Sequence, residues 1–315
     1  MKTFIKKLEN MPIPLVPTMV GTATLSNVYL GLGFTWIRNI VMIASTIILL
    51  CYLAKIIIYP RVCAKEYSNT VPASLYAGIT MIMMILGSFY FEFNNAFGKA
   101  IWIIAVIIHA IHILVFTYRN VVKGVNMDTF VPSWYVTYNG IMVSTVVGGV
   151  MNEPLLGKVI VYYGICVFLL IITFMIYRLM KYEVKDGVFH TQAILLAPSS
   201  LCVVGYINYF KEPNFALLSL LYAAVLAALI FIVIKIPKFF SFKFYPGYAG
   251  LTFPMAIGIV ASTKMSAFLT AKGYETLGSC IKQLSGLQIF VTTAIIAFVL
   301  YNFAVMFVNS YKKEN

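Results

Sequence analysis

Two histidines, His109 and His112, stand three residues apart in an apolar stretch, a spacing that puts both on one face of a helix. Such a pair holds a metal when carboxylates or thiolates join it. Here no acid or cysteine lies near them in sequence, and the five cysteines (Cys51, Cys63, Cys166, Cys202, Cys280) stand singly, without a CxxC. The pair is therefore expected to pack against a neighbouring helix or hydrogen-bond to it. Neither a metal, a disulfide nor a cofactor is expected. The sequence also lacks a P-loop, a dinucleotide fingerprint and a nucleophile elbow, so an enzymatic reading has no residues to rest on.

The acids carry a different message. All ten (Glu9, Glu66, Glu92, Asp128, Glu153, Glu183, Asp186, Glu212, Glu275, Glu314) fall at the ends of apolar stretches or between them. Ionisable groups inside a membrane mark proton relays and ion-coupling sites. A proton pump, or a cation site built on carboxylates, is therefore disfavoured. A basic chain with a neutral, hydroxyl-bearing interior favours anions. The mid-depth amides on inner stretches are Asn139, Gln192 and Asn208, with no arginine beside them. Lys264 is the one charge well inside a proline-bearing stretch; it either snorkels to the interface or attracts anions at an outer mouth.

These residues need elements to position them, and composition says which. Hydrophobic residues make up 61% of the 315 and charged ones only 10%, against about 25% charged in a soluble domain. Six stretches (40–58, 71–91, 100–118, 159–177, 215–236, 287–308) approach or reach the roughly 20 apolar residues that cross a bilayer. Spans of this kind are helical, because lipid offers the backbone no partner. Four weaker stretches (17–30, 131–150, 191–209, 246–268) carry Pro, Gly, Ser and Thr. Together they predict an all-α integral membrane protein of ten spans. The basic start at Met1 and Lys2 reads as a retained lead-in rather than a cleaved signal, because Pro12, Pro14 and Pro17 interrupt the apolar residues after it.

Every odd-numbered span holds a proline: Pro17, Pro72, Pro132, Pro198 and Pro254. Several odd spans are followed by a similar connection: Glu92 with Asn94, Glu153 with Pro154, Glu212 with Pro213. This reads as one transmembrane domain, 1–315, built from five helical hairpins at roughly 12–60, 61–120, 121–182, 183–238 and 239–315. Proline frees a backbone carbonyl, which neighbouring helices or water must satisfy. The odd helices are thus expected to be inner and kinked, the even ones outer and lipid-facing. The last span departs from the even pattern, with Gln288, Thr292, Thr293 and Asn302. Of the 23 basic residues, seven (Arg38, Lys99, Lys158, Lys211, Lys264, Lys272, Lys282) fall on one side of this topology and sixteen on the other. The positive-inside rule places both termini in the cytoplasm and the protein in a plasma or inner membrane. It also accounts for most of the net charge of +13, and no nucleic-acid partner is expected.

Proline-bearing odd spans in five hairpins resemble the tellurite-resistance/dicarboxylate transporter family, which includes the bacterial tellurite-resistance protein A, yeast malate permease and the plant guard-cell slow anion channel. The matching motifs run from Pro17 to Ser26 (PTMVGTATLS), from Pro132 to Tyr135 (PSWY), from Leu196 to Ser200 (LAPSS) and from Thr252 to Ala256 (TFPMA). The resemblance covers nearly the whole chain, through short motifs. It implies inner helices in pseudo-five-fold symmetry around a central pore, an outer set of even helices, and a homotrimer with one pore per subunit. It further implies a gate at Phe253, directly before Pro254, with Pro17, Pro72, Pro132 and Pro198 at kinks that line the pore. The compact first span and short ends do not suggest the kinase-type regulation of the plant members.

Three functions fit these features. The first is a channel passing small anions such as chloride or nitrate, plugged by an aromatic side chain. The second is a carrier for dicarboxylates such as malate, or for tellurite-related oxyanions, which needs fixed amide or basic groups at mid-depth. The third is a scaffold, against which the lack of a soluble domain counts.

Overall fold

Short polar connections start and stop the helices of this chain. In the computed structural model, which describes residues 6–312, the helices are α1 (Leu15–Gly31), α2 (Thr35–Ile58), α3 (Pro60–Ser68), α4 (Thr70–Leu75), α5 (Ala77–Phe91), α6 (Asn95–Thr117), α7 (Trp134–Tyr138), α8 (Val143–Val147), α9 (Pro154–Lys181), α10 (Leu196–Tyr209), α11 (Phe215–Phe239), α12 (Thr252–Ala271) and α13 (Glu275–Lys312). Met1, Lys2, Lys313 and Glu314 lie outside the described residues. The repeated connection seen in the sequence proves to be a helix start. Asn94 and Asn214 cap α6 and α11 through their side chains, each accepting from the amide three residues on, and Pro154 opens α9. The first and last hairpins share a stop. Gly33 and Gly273 take positive φ, and Phe34 and Tyr274 donate back to Tyr29 and Leu269, closing the C-terminal turn.

Eight helical stretches are long and apolar enough to cross a membrane, and no strand occurs among the described residues. The first and fifth expected spans are the two that differ. α1 has seventeen residues. The fifth, expected as one span over 131–150, is divided into α7, a 3-10 turn at Gly140–Met142, α8 and a second 3-10 turn at Gly148–Met151. Glycine at 140, 148 and 149, with β-branched residues between, weakens a continuous α-helix there.

The odd stretches Thr70–Phe91, Asp186–Tyr209 and Pro246–Ala271 are 67–78% buried, whereas the five even ones are only 28–39% buried. Apolar side chains left exposed on α2, α6, α9, α11 and α13 suit lipid. The inner elements also close a circuit: α1 packs on α5, α5 on α8, α8 on α10, α10 on α12, and α12 back on α1. Each outer helix touches its hairpin partner; α2 also reaches α5, α9 packs chiefly on α10, and α13 also reaches α1.

Two ion pairs tie consecutive hairpins at one end of the circuit. Arg38, at the start of α2, makes a bidentate pair with Glu92 after α5, at 2.9 and 2.6 Å, and its Nε donates to Asn27. Lys99 of α6 pairs with Glu153 before α9 at 2.6 Å. The pairs look alike, but their environments differ: the Arg38 side chain is 9% exposed and that of Lys99 35%. Glu92→Ala strands a buried guanidinium, expected to cost on the order of 2–5 kcal/mol. Glu153→Ala leaves an ammonium that water can reach, at below about 1 kcal/mol. Thermal unfolding of the two variants in detergent checks this, and equal shifts would remove the distinction.

Candidate functional site

The inner elements enclose a cavity of about 400 Å³. Every residue that lines it comes from one of the five odd segments or the chain leading directly into one. Ile13, Pro14 and Pro17 come from the first, Val71, Pro72, Leu75 and Met81 from the third, and Tyr135, Val136 and Gly140 from the fifth. The seventh contributes residues from Gly187 to Leu201, and the ninth from Tyr245 to Pro254. No lysine, arginine, aspartate or glutamate is among them. Of the lining residues Gly187 is exposed, whereas Phe253 is 6% exposed.

The chain makes this cavity where its inner helices begin. Pro17, Pro72, Pro198 and Pro254 are each the third residue of their helix, and Pro132 lies two residues before α7. At the start of a helix the missing amide costs least. The prolines mark changes of helix type as well. Ahead of α10 and α12 run 3-10 segments, Asp186–Leu195 and Pro246–Leu251, and α4 is separated from α5 at Tyr76. In α1 the helix runs on past Pro17 without a break. Pro17, Pro72 and Pro254 line the cavity; Pro198 and Pro132 are not among its lining residues, although Ala197 and Leu201 are. All five inner segments contribute residues from their N-terminal ends to this space, and the N-terminal end of a helix carries a partial positive charge.

Phe253 is the second residue of α12, and its ring has no aromatic partner among the described residues. Its backbone is clamped instead. A Cβ on Gly21 of α1 would lie 2.5 Å from the Phe253 nitrogen and 2.6 Å from the Thr252 carbonyl carbon, so only glycine fits. Lys264 is exposed on α12, away from the cavity lining.

Several inner hydroxyls are engaged locally, while the buried Ser133 Oγ and the hydroxyl of Tyr135, which lines the cavity, have no partner among the described residues. Thr18, Thr22, Thr24, Thr80, Ser144, Thr145 and Ser200 each donate to a carbonyl three or four residues earlier. The amides are engaged too: Asn139 donates to the Gly164 carbonyl, Gln192 to Phe189 and Asn208 to Thr145. None of the three amides lines the cavity. His109 and His112 join helices. The His109 ring reaches Thr80 at 2.6 Å and the Thr137 carbonyl at 2.8 Å, and His112 reaches Tyr67 and the Thr137 hydroxyl. Outside the spans, the Lys185 ammonium beside Asp128 holds that carboxyl below the usual carboxylate range.

Sequence reasoning passed over Gly21, whose partner is more than 200 residues away, and His190 with Tyr245 at the cavity wall. The only local signal for the first was a small residue inside the Pro17–Ser26 motif. No curated protein sequence matches the chain. The family model described as voltage-dependent anion channel matches residues 10–307. The likeness is thus to integral membrane channels and transporters of anions rather than to enzymes, and the chain belongs to that family, SLAC1.

Proposed function

We propose that this protein is a channel for small monovalent anions such as chloride and nitrate, with a path inside each subunit that Phe253 closes. In this reading ten spans form five hairpins in pseudo-five-fold symmetry. α1 serves as a short first span, and α7 with α8 as a broken fifth. Both termini lie in the cytoplasm, the membrane is the plasma or inner membrane, and three subunits associate, as the resemblance implies. The carrying observation is the cavity: all five inner segments line it, no lysine, arginine, aspartate or glutamate lines it, and the buried Phe253 is part of its wall. Converging helix starts favour anions without a fixed cation.

The engaged hydroxyls and amides favour a channel over a dicarboxylate or oxyanion carrier. A carrier must hold its substrate with dedicated donors. Here most of the inner serine and threonine protons are committed to the helices themselves, the buried Tyr135 hydroxyl being a cavity-lining exception, and no arginine faces the cavity. Lys264 and the other outer-side basic residues act only as distant attractors in this reading.

Purified protein in planar bilayers tests it. The expected current reverses at the equilibrium potential of the anion and does not shift when a pH difference is added at a fixed anion gradient. A reversal potential that follows the pH difference means that protons travel with the anion, and the carrier reading then replaces this one.

A further inference from the structure

His190 belongs to the wall of the cavity and is fully buried. Its Nε2 lies 3.0 Å from the Phe239 carbonyl oxygen, which can only accept, so Nε2 bears a proton. Its Nδ1 lies 2.8 Å from the Tyr245 hydroxyl oxygen. That hydroxyl also reaches the Asp186 carbonyl oxygen at 2.9 Å. A phenol has one proton to give. With a neutral imidazole, Nδ1 and the Asp186 carbonyl compete for it, and the loser faces a lone pair. With an imidazolium the conflict disappears: Nδ1–H donates to Tyr245, and Tyr245 donates to Asp186.

A second observation favours the same charge state. Phe239, Phe242, Tyr245 and Tyr248 surround the imidazole, with ring centroids 5.3, 5.5, 5.1 and 4.0 Å away. A cage of aromatic rings stabilises a cation. Burial opposes the charge, as do nearby ammonium groups. Lys235 and Lys238 of α11 sit over Phe189 and Phe242, and Lys243 comes in the next loop. On its own segment Asp186 contributes its carbonyl oxygen to the chain. Lys185, just before that segment, is paired with Asp128. The Tyr248 hydroxyl lies 2.8 and 2.9 Å from the Phe239 and Phe242 carbonyl oxygens and gives its one proton to one or the other, and the Phe298 ring of α13 packs behind it.

We infer that His190 is a proton-binding site in the cavity wall, and that its protonation from the side where the inner helices begin raises anion entry. The inference rests on the channel reading. The proton here is a ligand and not cargo, so conductance changes while the reversal potential stays at the anion value. One added positive charge beside a narrow apolar cavity is expected to raise anion current about three- to tenfold.

The chain has three histidines, so nitrogen NMR of ¹⁵N-histidine protein in nanodiscs can track each ring, His190→Gln identifying its signal. Between about pH 8 and about pH 5, the range in which imidazole normally titrates, the His190 ring is expected to become doubly protonated. In bilayers, acidifying the cavity side over that range raises the current; acidifying the other side does not. His190→Gln abolishes the response. Tyr245→Phe, which removes the acceptor for Nδ1–H, moves it to lower pH. A His190 ring that stays neutral throughout overturns the proton site, whatever the currents do. A titrating ring with unchanged current, or a pH response that survives in His190→Gln, overturns the link to entry. If neither the natural chain nor Phe253→Ala carries anion current at any pH, the channel reading fails and the link with it, while NMR still decides the proton site.

Discussion

Phe253→Ala is expected to raise chloride or nitrate current through the purified protein by about tenfold or more. The residue is buried and lines a cavity that bears no lysine, arginine, aspartate or glutamate. An ion passing it gives up hydrating water and receives no polar group in exchange, a cost of several kcal/mol for an uncompensated charge. Each 1.4 kcal/mol or so removed from that barrier multiplies the rate by about ten. Alanine shortens the side chain but leaves Pro254, the helix start and the Gly21 contact in place, so the backbone at the constriction stays as it is. A phenylalanine that only packs behaves differently: its truncation in a closed core costs about 3–5 kcal/mol and opens no path. Equal folded amounts of variant and natural protein, compared in bilayers, separate the two. Unchanged or lower current in well-folded Phe253→Ala ends the gate assignment.

The division into inner and outer helices was legible because lipid imposes it. Outer helices need apolar residues around most of their surface and little else, while inner ones carry proline, glycine and hydroxyls that lipid would penalise. That contrast survives in single residues: the expected even spans are the exposed ones, and the three long proline-bearing stretches are the buried ones. Residue type did not say where in its span each proline falls. Four are the third residue of an α-helix, and two of these, Pro198 and Pro254, follow a 3-10 segment inside a longer helical stretch. At a helix start the missing amide has no partner to lose, and inside a span neighbouring helices or water satisfy the carbonyl it frees, so the residue type alone could not choose between them. The hydroxyls suggested a wet interior, yet many return their protons to their own helices, a pairing that short-range spacing permits for any serine or threonine.

Long-range partners were the illegible part. Phe253 drew attention through a family motif, since this chain has 24 phenylalanines and spacing singles out none. His190 meets Phe239 and Tyr245 across 49 and 55 residues, and Arg38 meets Glu92 across 54. No local pattern encodes those distances; the closing of the circuit does.

Gly21→Ala is expected to lower stability by about 1–3 kcal/mol or more, with a marked loss of folded protein, although only one methyl is added. The new carbon would stand 2.5 and 2.6 Å from backbone atoms of Phe253 and Thr252 and 2.8 Å from the Thr252 side chain. Contacts below 3 Å with backbone cannot be relieved by turning a side chain, so α1 and α12 have to separate. Their contact closes the circuit between the first and ninth segments, and every inner helix depends on that closure for its buried face. Gly31, at the end of the same helix, supplies the control. A Cβ there meets nothing within 4 Å and its φ is not positive, so Gly31→Ala should be neutral, or stabilising by about 0.4–1 kcal/mol through the unfolded chain. Unfolding midpoints and detergent-stable yields of the two variants give the measurement. The separation also falls beside Phe253, so folded Gly21→Ala should carry more resting current than the natural protein, a readout that Gly31→Ala leaves unmoved. If the two alanine variants match in stability and current, α1 and α12 do not meet this closely, and the clamp on the gate is lost as an explanation.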